Sequence, residues 1–221
     1  MRLLPAYKHI INPNLKNIYL SLSSDGELIV KSPRVSLERI EKLIISKSNW
    51  INKTKEKIAR KKGKPEFLES SINIYYLGKT INVILKESNR DKLDFLENEF
   101  MLFYSCRELE KLHKTIDRFY LTRAKQTLPV MIEKWSNIMS LKPTKIKFRK
   151  TKTQWGSCNS KNEIQLNTSL MKLPPRLIEY VVIHELSHIR HKHHQKSFWE
   201  EVGKHCPDFK ACRKELKEFS V

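Results

Sequence analysis

The residues best suited to chemistry lie in one short segment, residues 184–188, whose sequence is HELSH. On an α-helix, side chains four positions apart share a face, so His184 and His188 can direct their imidazoles at one metal ion. Neutral imidazole is a good zinc ligand, and Glu185 would lie beside a water bound to that ion. The apolar residues 180–183 indicate that this helix is buried. The segment therefore predicts a zinc hydrolase site with Glu185 as general base.

A catalytic zinc site needs a third protein ligand and one open position. His191 lies about 10 Å along the helix axis from His184, so three imidazoles on one straight helix would converge poorly. His194 lies six residues beyond His188, and a chain that turns back after the helix can bring it to the metal, as in the metzincin spacing. His194 is therefore the favoured third ligand. The alternatives are another histidine, His191 or His193, or a glutamate of the next helix, Glu200 or Glu201.

Local patterns predict the elements that must hold this segment in place. Strand-like alternation bounded by turn residues predicts short strands, and apolar residues at helical spacing predict helices. The predicted strands cover 17–22, 27–31, 72–76, 80–85, 93–96, 99–104, 145–149, 153–158 and 163–167, with a turn at 24–26. The predicted helices cover a segment that is capped by Ser36 and ends at 60–65, either continuous or broken before Trp50, and then 106–140, 175–192, 197–205 and 207–219. Pro129 should kink or restart the second helix.

A β-rich first half precedes a mainly helical second half, which predicts an α+β fold in two lobes. A chain of 221 residues that is 39% hydrophobic can build one large core or two small ones. We expect a β-rich N-terminal lobe with one or two helices at 1–105 and a catalytic domain at 106–221. In the second domain, the helix that carries residues 184–188 should pack on a small sheet.

The charge of the chain is strongly unbalanced, with 43 Lys and Arg against 24 Asp and Glu and a formal net charge of +19. Such a surface attracts polyanions such as nucleic acids or nucleotides, although scattered lysines are also typical of an ordinary solvated surface. Two segments concentrate the charge, residues 53–64 and residues 142–152. The second segment includes Arg149, which could hold a phosphate group if it lay near the metal.

Four cysteines occur without a CxxC pair, which favours a reducing compartment and argues against a cysteine zinc finger. The N-terminus lacks the apolar run of a signal peptide, and no stretch approaches the roughly 18 apolar residues that span a bilayer. We therefore expect a cytoplasmic protein without a membrane partner. The oligomeric state cannot be deduced from these patterns.

Three blocks of the sequence together resemble the YgjP-like family of predicted zinc metallohydrolases, which is related to the SprT-like and WLM metallopeptidases. The blocks are Trp155-Gly156-Ser157-Cys158 with 164–167, then 173–175 with 180–188, and finally His194 with Phe198-Trp199; 207–209 also fits. The resemblance covers residues 145–221 well and the N-terminal half only in general layout. The chain departs from the family at His193 and Gln195, where Asn and Ser are usual, at Gln154, where Arg is usual, and at Asn162, where Gly is usual.

The resemblance implies a zincin-like catalytic lobe, a Zn²⁺ cofactor held by His184, His188 and His194, and an edge strand beside the metal cleft. That strand would contain Trp155, Gly156 and Ser157. An edge strand can pair with an extended peptide, so these residues are candidates for substrate binding. Trp155 could equally be a core aromatic residue.

Three functions compete on this site. The first is a zinc-dependent metallopeptidase, supported by the motif order and the expected edge strand. The second is a nucleoside triphosphate pyrophosphatase of the UTP type, implied by one branch of the resembled family and suited to a cationic surface with Arg149 as a phosphate ligand. The third is a nucleic-acid-binding protein that keeps a metal site, with the basic residues 53–64 and nearby Trp50 as the contact surface. The substrate is accordingly a peptide or a nucleotide.

Overall fold

A computed structural model describes residues 4–23 and 26–221 of the chain. The turn predicted at 24–26 includes residues 24 and 25, which lie outside the described residues. The chain divides into two compact units, Met1–Lys61 with Ser220 and Lys62–Phe219 with Val221. The division at 61/62 differs from the domain boundary expected at 105/106. The strands that precede residue 105 share a hydrophobic core with the helices that follow it.

The first unit combines a small mixed sheet with two helices. Its elements are β1 (Tyr7–Ile11), β2 (Tyr19–Leu22), β3 (Leu28–Ser32), α1 (Leu37–Ser46) and α2 (Ser48–Ala59). The sheet has the order β1-β3-β2, with β3 central, parallel to β1 and antiparallel to β2. Alternate residues of β3 point inward, so Leu28 and Val30 pack with Ile40, Ile44 and Ile51 of the helices. The predicted helical segment is broken into two consecutive helices, and Ser36 precedes the first of them without a side-chain capping hydrogen bond.

A five-stranded sheet begins the second unit. Its strands are β4 (Glu66–Phe67), β5 (Ser71–Tyr76), β6 (Lys79–Glu87), β7 (Lys92–Leu96) and β8 (Glu99–Tyr104), in the order β4-β5-β6-β8-β7. Both predicted hairpins are present, and they join through the parallel pair β6 and β8. The inward residues Ile72, Ile74 and Val83 belong to the same core as the later helices. This shared core explains why no unit boundary falls at 105/106.

The long helix α3 (Leu109–Met139) follows and continues through Pro129 without a restart. Proline removes the hydrogen bond that the carbonyl of Lys125 would accept, but Lys125 is exposed, so water can replace it. Leu128 and Ile132, on either side of the proline, are buried in the core. Packing on both sides of Pro129 therefore outweighs the local cost of the proline.

The remaining elements surround the HELSH segment. They are β9 (Lys145–Arg149), β10 (Gly156–Cys158), β11 (Glu163–Asn167), a 3₁₀-helix (Thr168–Lys172), α4 (Pro175–Arg190), α5 (Lys196–His205) and α6 (Phe209–Leu216). The three strands form a second sheet in the order β10-β11-β9, so β10 is an edge strand. Asn162 has a φ of 60° in the turn before β11, where glycine would be the easiest residue. α4 packs against β10, α3, α5 and α6.

The state of the cysteines and the polarity of the helices also relate to the sequence-based predictions. Within the described residues all four cysteines are free thiols. None of the described helices is both long enough and apolar enough to cross a lipid bilayer.

Candidate metal centre

α4 is the element that presents the first two candidate ligands. Pro174 and Pro175 begin it, and proline is well suited to the first turn because the backbone N–H it lacks would have no partner there. Nearly every residue from Leu177 to Ser187 is buried, as expected of a helix enclosed by a sheet and three helices. His184 and His188 are one turn apart, and their ring centroids are separated by 4.9 Å.

His194 joins these two residues because the chain reverses after α4. The helix ends at Arg190, residues 191–195 form the turn, and α5 begins at Lys196. Nε2 of His194 lies 3.2 Å from Nε2 of His184, and one ring nitrogen from each of His184, His188 and His194 lies within 4.8 Å of the others. Two imidazole nitrogens that face each other at this distance are suited to a shared metal ion.

In each imidazole, the hydrogen bond made by Nδ1 helps to decide whether Nε2 is free to bind metal. Nδ1 of His188 lies 2.9 Å from the carbonyl oxygen of His191, so it can donate its proton there and leave Nε2 free as a ligand. Nδ1 of His184 is buried without a hydrogen-bond partner among the described residues. Burial, followed by the neighbouring charges of His188, His194 and Arg213, lowers the pKa of His184 to about 3. Its imidazole is therefore neutral, which is the form that zinc binds.

The other candidate ligands lie outside this cluster. The side chain of His191 approaches Ser197, and Nδ1 of His193 accepts a hydrogen bond from the backbone N–H of Gln195. Exposed Glu200 lies near Lys196, whereas buried Glu201 is contacted by two cations and a histidine. The cations are Arg190 at 3.0 Å and Lys204 at 3.4 Å, and Nε2 of His205 lies at 3.8 Å. The hydrogen bond between His193 and Gln195 lies within the turn before α5 and joins two positions at which the sequence departs from the resembled family.

α5 supplies contacts that hold the three imidazoles in place. Phe198 is fully buried and stacks on the ring of His188 at 4.4 Å. Trp199 stacks on the ring of His194 at 5.7 Å, and its indole N–H donates to the carbonyl of His194 at 3.1 Å. The ion pair between Glu201 of α5 and Arg190, the last residue of α4, spans the turn that carries His194. In the sequence, the indication that Phe198 and Trp199 position the imidazoles is only that they follow His194 closely.

Glu185 lies beside His184 on α4 and is 5% exposed. Burial raises the pKa of its carboxyl group to about 8. The carboxylate lies against the edge strand at Gly156, where an added β-carbon would be 2.7 Å from Cγ and Oε1 of Glu185. Only glycine at this position lets the strand approach the acid so closely.

Asn167 and Lys192 fix the two ends of the edge strand β10. The buried side-chain amide of Asn167 donates to Thr151 and to the carbonyl of Gln154, which shapes the loop before Trp155. The Nζ of Lys192, just beyond α4, donates to the carbonyl of Asn159 at 2.9 Å. Asn167 thus ties the loop before β10 to the end of β11, and Lys192 ties the residue after β10 to the metal turn.

A cavity of about 190 Å³ lies beside Glu185 and His184. Its walls are formed by the start of β10 and the two residues before it, by α4 and by α6. The lining residues are Gln154, Trp155, Gly156, Tyr180, Val181, His184, Glu185 and Leu216. Ser157 occupies the middle of β10, paired with Gln165. Arg149 lies on β9, at the opposite edge of the sheet from β10, and does not line the cavity. Tyr180 and Leu216 were not anticipated, since their approach to Trp155 depends on tertiary packing.

Comparison with known proteins complements this geometry. No curated protein matches the chain significantly. The crystal structure of the metallopeptidase zymogen abylysin from Pyrococcus abyssi aligns at 21% identity and a TM-score of 0.36, covering 43% of this chain and 100% of that one. The model of the YgjP-like metallopeptidase domain matches residues 16–219, which is nearly the whole chain and extends well beyond the blocks recognised in the sequence. The chain belongs to the YgjP-like metallopeptidase family and is a metal-dependent hydrolase.

Proposed function

We propose that the protein is a zinc-dependent peptidase in which His184, His188 and His194 hold the metal and Glu185 is the general base. The observation that carries the proposal is the convergence of three imidazole nitrogens within 4.8 Å, next to a buried carboxylate. The donor set fits zinc, which prefers neutral imidazole and leaves one position open in catalytic sites. Zinc in such a site lowers the pKa of a coordinated water towards 7 and polarises a carbonyl.

Glu185 is suited to moving a proton. Its carboxylate oxygens face the cavity and Gly156, and burial makes them more basic than those of an exposed glutamate. The carboxylate can accept a proton from the attacking water and later deliver it to the leaving amine. Because Glu185 lies between His184 and His188 on α4, the base and these two ligands belong to one rigid element.

The edge strand favours a peptide as the substrate. Within the described residues β10 pairs with β11 alone, so its other side can bind an extended segment by main-chain hydrogen bonds. Gly156 and Ser157 belong to this strand, and Trp155 precedes it at the cavity. Trp155, Gly156 and Ser157 are therefore proposed to contact the substrate.

The nucleotide alternative receives less support from the positions of the cations that the sequence analysis assigned to it. Arg149 lies two strands from β10, on the far edge of the sheet, and Lys147 on the same strand is paired with Glu163. Lys150 is paired with Asp117. These groups are poorly placed to hold a phosphate beside His184. Nucleic-acid binding through residues 53–64 stays a prediction.

Substitution of the general base tests the proposal. Glu185→Gln should retain bound zinc and lose on the order of 10²- to 10⁴-fold in peptide cleavage, because the amide cannot accept the proton. Glu179→Gln on the same helix, whose partner is Lys134, is the matched control and should retain activity. Zinc content is measured by metal analysis and cleavage with an unfolded protein substrate. Undiminished cleavage by Glu185→Gln would exclude Glu185 as the base.

A further inference from the structure

We propose that a second zinc ion binds to Cys206, Asp208 and Cys212, where the chain passes from α5 to α6. Within the described residues, only two groups of His, Cys, Asp or Glu side chains bring three ligand atoms within 4.8 Å of one another. One group is the histidine cluster, and the other is this one. The second ion would be structural, and its existence does not depend on the proposed peptidase function.

The turn between the two helices brings together thiols that are separated in the sequence. Cys206 directly follows α5 and Cys212 lies on α6, so the pair has no CxxC spacing. The backbone N–H of Phe209 donates to the carbonyl of Cys206 at 3.0 Å, and that of Cys212 donates to the carbonyl of Asp208 at 3.1 Å. These two hydrogen bonds form the turn that begins α6. As a result, both thiols reach the side chain of Asp208.

The distances around the Asp208 carboxylate match those between neighbouring ligands of one zinc ion. Sγ of Cys206 lies 3.4 Å from Oδ1, and Sγ of Cys212 lies 3.5 Å from Oδ2. With bonds of about 2.3 Å to sulfur and about 2.0 Å to oxygen, the sulfur and oxygen ligands of a tetrahedral zinc ion lie about 3.5 Å apart. Thiolates and a carboxylate are ligand types that zinc accepts.

Arg176 of α4 provides a positive charge next to these ligands. Its Nη1 donates to Sγ of Cys212 at 3.1 Å and to Oδ2 of Asp208 at 3.0 Å, while its Nη2 is paired with Glu215. Two thiolates and one carboxylate around Zn²⁺ leave one negative charge, which the guanidinium balances. Hydrogen bonds from such outer residues orient the ligands of a metal ion and tune their charge.

The exposure of the three side chains gives the ion a route from solvent. Both cysteines are buried, whereas Asp208 is exposed, so an ion would enter at the carboxylate and a water would complete its coordination. Burial raises the pKa of the Cys206 thiol to about 12 and also raises that of Cys212. Both thiols are therefore protonated when no ion is bound. Binding would form two Zn–S bonds and release two protons to solvent.

An ion at this position would also support the histidine cluster. Phe209, which lies between the ligands Asp208 and Cys212 in the chain, stacks on Trp199 at 5.3 Å. Trp199 in turn stacks on His194 at 5.7 Å. By joining the end of α5 to α6, the ion would fix Phe209 against Trp199 and so stabilise the surroundings of His194.

Cobalt(II) titration distinguishes the two sites, because thiolate ligands give an intense sulfur-to-cobalt charge-transfer absorption and imidazoles do not. Co²⁺ is added to wild type, His188→Ala and Cys212→Ser, each kept reduced with a phosphine. We expect two ions per chain in wild type and one in each variant, with the charge-transfer absorption lost only in Cys212→Ser.

Cys106→Ser is the matched control. Cys106 also has a carboxylate neighbour two residues later, with its Sγ 3.3 Å from Oε1 of Glu108, but it belongs to no group of three close ligand atoms among the described residues. This variant should keep both cobalt ions and the full charge-transfer absorption.

Asp208→Asn provides a second test, because Asp208 is exposed and its replacement leaves both buried thiols in place. Zinc affinity at this site, measured by competition with a chelator, should fall by more than the roughly 10- to 100-fold effect of an outer hydrogen-bond partner. In urea titrations, zinc should stabilise His188→Ala, which keeps only this site. Zinc should not stabilise the double variant with His188→Ala and Asp208→Asn.

The outcomes separate this inference from the peptidase proposal. A wild type that binds one cobalt ion without charge-transfer absorption would overturn the second site and leave the histidine centre intact. Absorption that survives Cys212→Ser, or that disappears in Cys106→Ser, would also overturn it. If His188→Ala instead keeps two ions and the absorption, the second site is supported and the result counts against the histidine centre.

Discussion

Gly156 of the edge strand and Glu185 of α4 are in such close contact that a β-carbon on the glycine would lie 2.7 Å from Cγ and Oε1 of the acid. Real side chains do not approach so closely, so either the strand or the carboxylate would have to move. The backbone of Gly156 needs no positive φ, and the requirement for glycine is therefore one of space alone. The edge strand and the proposed base thus depend on each other for position.

Gly156→Ala should consequently impair catalysis more than stability. A displacement of the proposed base by about 1 Å can cost on the order of 100-fold in rate, while zinc content should persist because the histidines are untouched. Gly203→Ala is the control, since a β-carbon there would meet Phe209 at an ordinary 3.5 Å. Cleavage rates and bound zinc are measured for both variants. Wild-type activity in Gly156→Ala would show that the contact tolerates a methyl group.

His194→Ala should sharply weaken zinc retention. Loss of a direct ligand should exceed the roughly 10- to 100-fold effect that is typical of outer hydrogen-bond partners. His193→Ala removes a neighbouring imidazole whose Nδ1 only accepts from the backbone of Gln195, and it should retain zinc. Competition with a chromogenic chelator gives both affinities. If the two variants bind zinc equally well, the third ligand must be sought elsewhere.

Much of the fold could be predicted from local patterns, because strand alternation and helical periodicity depend on neighbours in sequence. Both hairpins of the five-stranded sheet and α4 are of this kind. The continuity of α3 through Pro129 could not be predicted, since burial of Leu128 and Ile132 decides it. The unit boundary at 61/62 likewise depends on a core shared between β5, β6 and the later helices.

Part of the candidate site could likewise be predicted from local sequence patterns, and part of it could not. Spacing along a helix predicts that His184, Glu185 and His188 lie together, and the expected chain reversal favours His194 as the third ligand. Contacts between segments that are distant in sequence leave no such spacing pattern. The approach of Tyr180 to Trp155 and the position of Arg213 over Trp199 follow from how α4, α5 and α6 pack. A prediction of which residues line the cavity therefore requires the tertiary structure.

Glu201→Gln should destabilise the turn that carries His194. The buried carboxylate is contacted by the cations Arg190 and Lys204 and by the ring of His205, and an amide cannot balance the two positive charges. We expect a loss of about 1–3 kcal/mol in the free energy of unfolding and a lower zinc affinity. Glu200→Gln, which affects an exposed pair with Lys196, should change neither quantity appreciably. Urea titrations of the metal-free and zinc-loaded proteins measure both, and an unchanged Glu201→Gln would contradict the positioning role.

Lys172→Met should stabilise the protein at neutral pH. Burial, with a further contribution from the charge of Lys150, lowers the pKa of Lys172 from 10.5 to about 8, and Asp117 only partly opposes the shift. The ring of Tyr120, 5.7 Å from Nζ, gives weak compensation. Protonated Lys172 therefore costs stability at pH 7, on the order of 2 kcal/mol for a shift of this size after allowance for partial exposure.

The sign of the pH dependence follows from proton binding. Between about pH 8 and pH 10.5 the unfolded chain holds the Lys172 proton and the folded chain does not, so this residue's contribution to stability rises with pH. The advantage of Lys172→Met over wild type should therefore be largest below pH 8 and shrink as the pH approaches 10.5. Urea unfolding at pH 7 and pH 10 measures the difference, with the exposed Lys142→Met as control. An equal advantage at both pH values would mean that the effect arises from packing rather than from the buried charge.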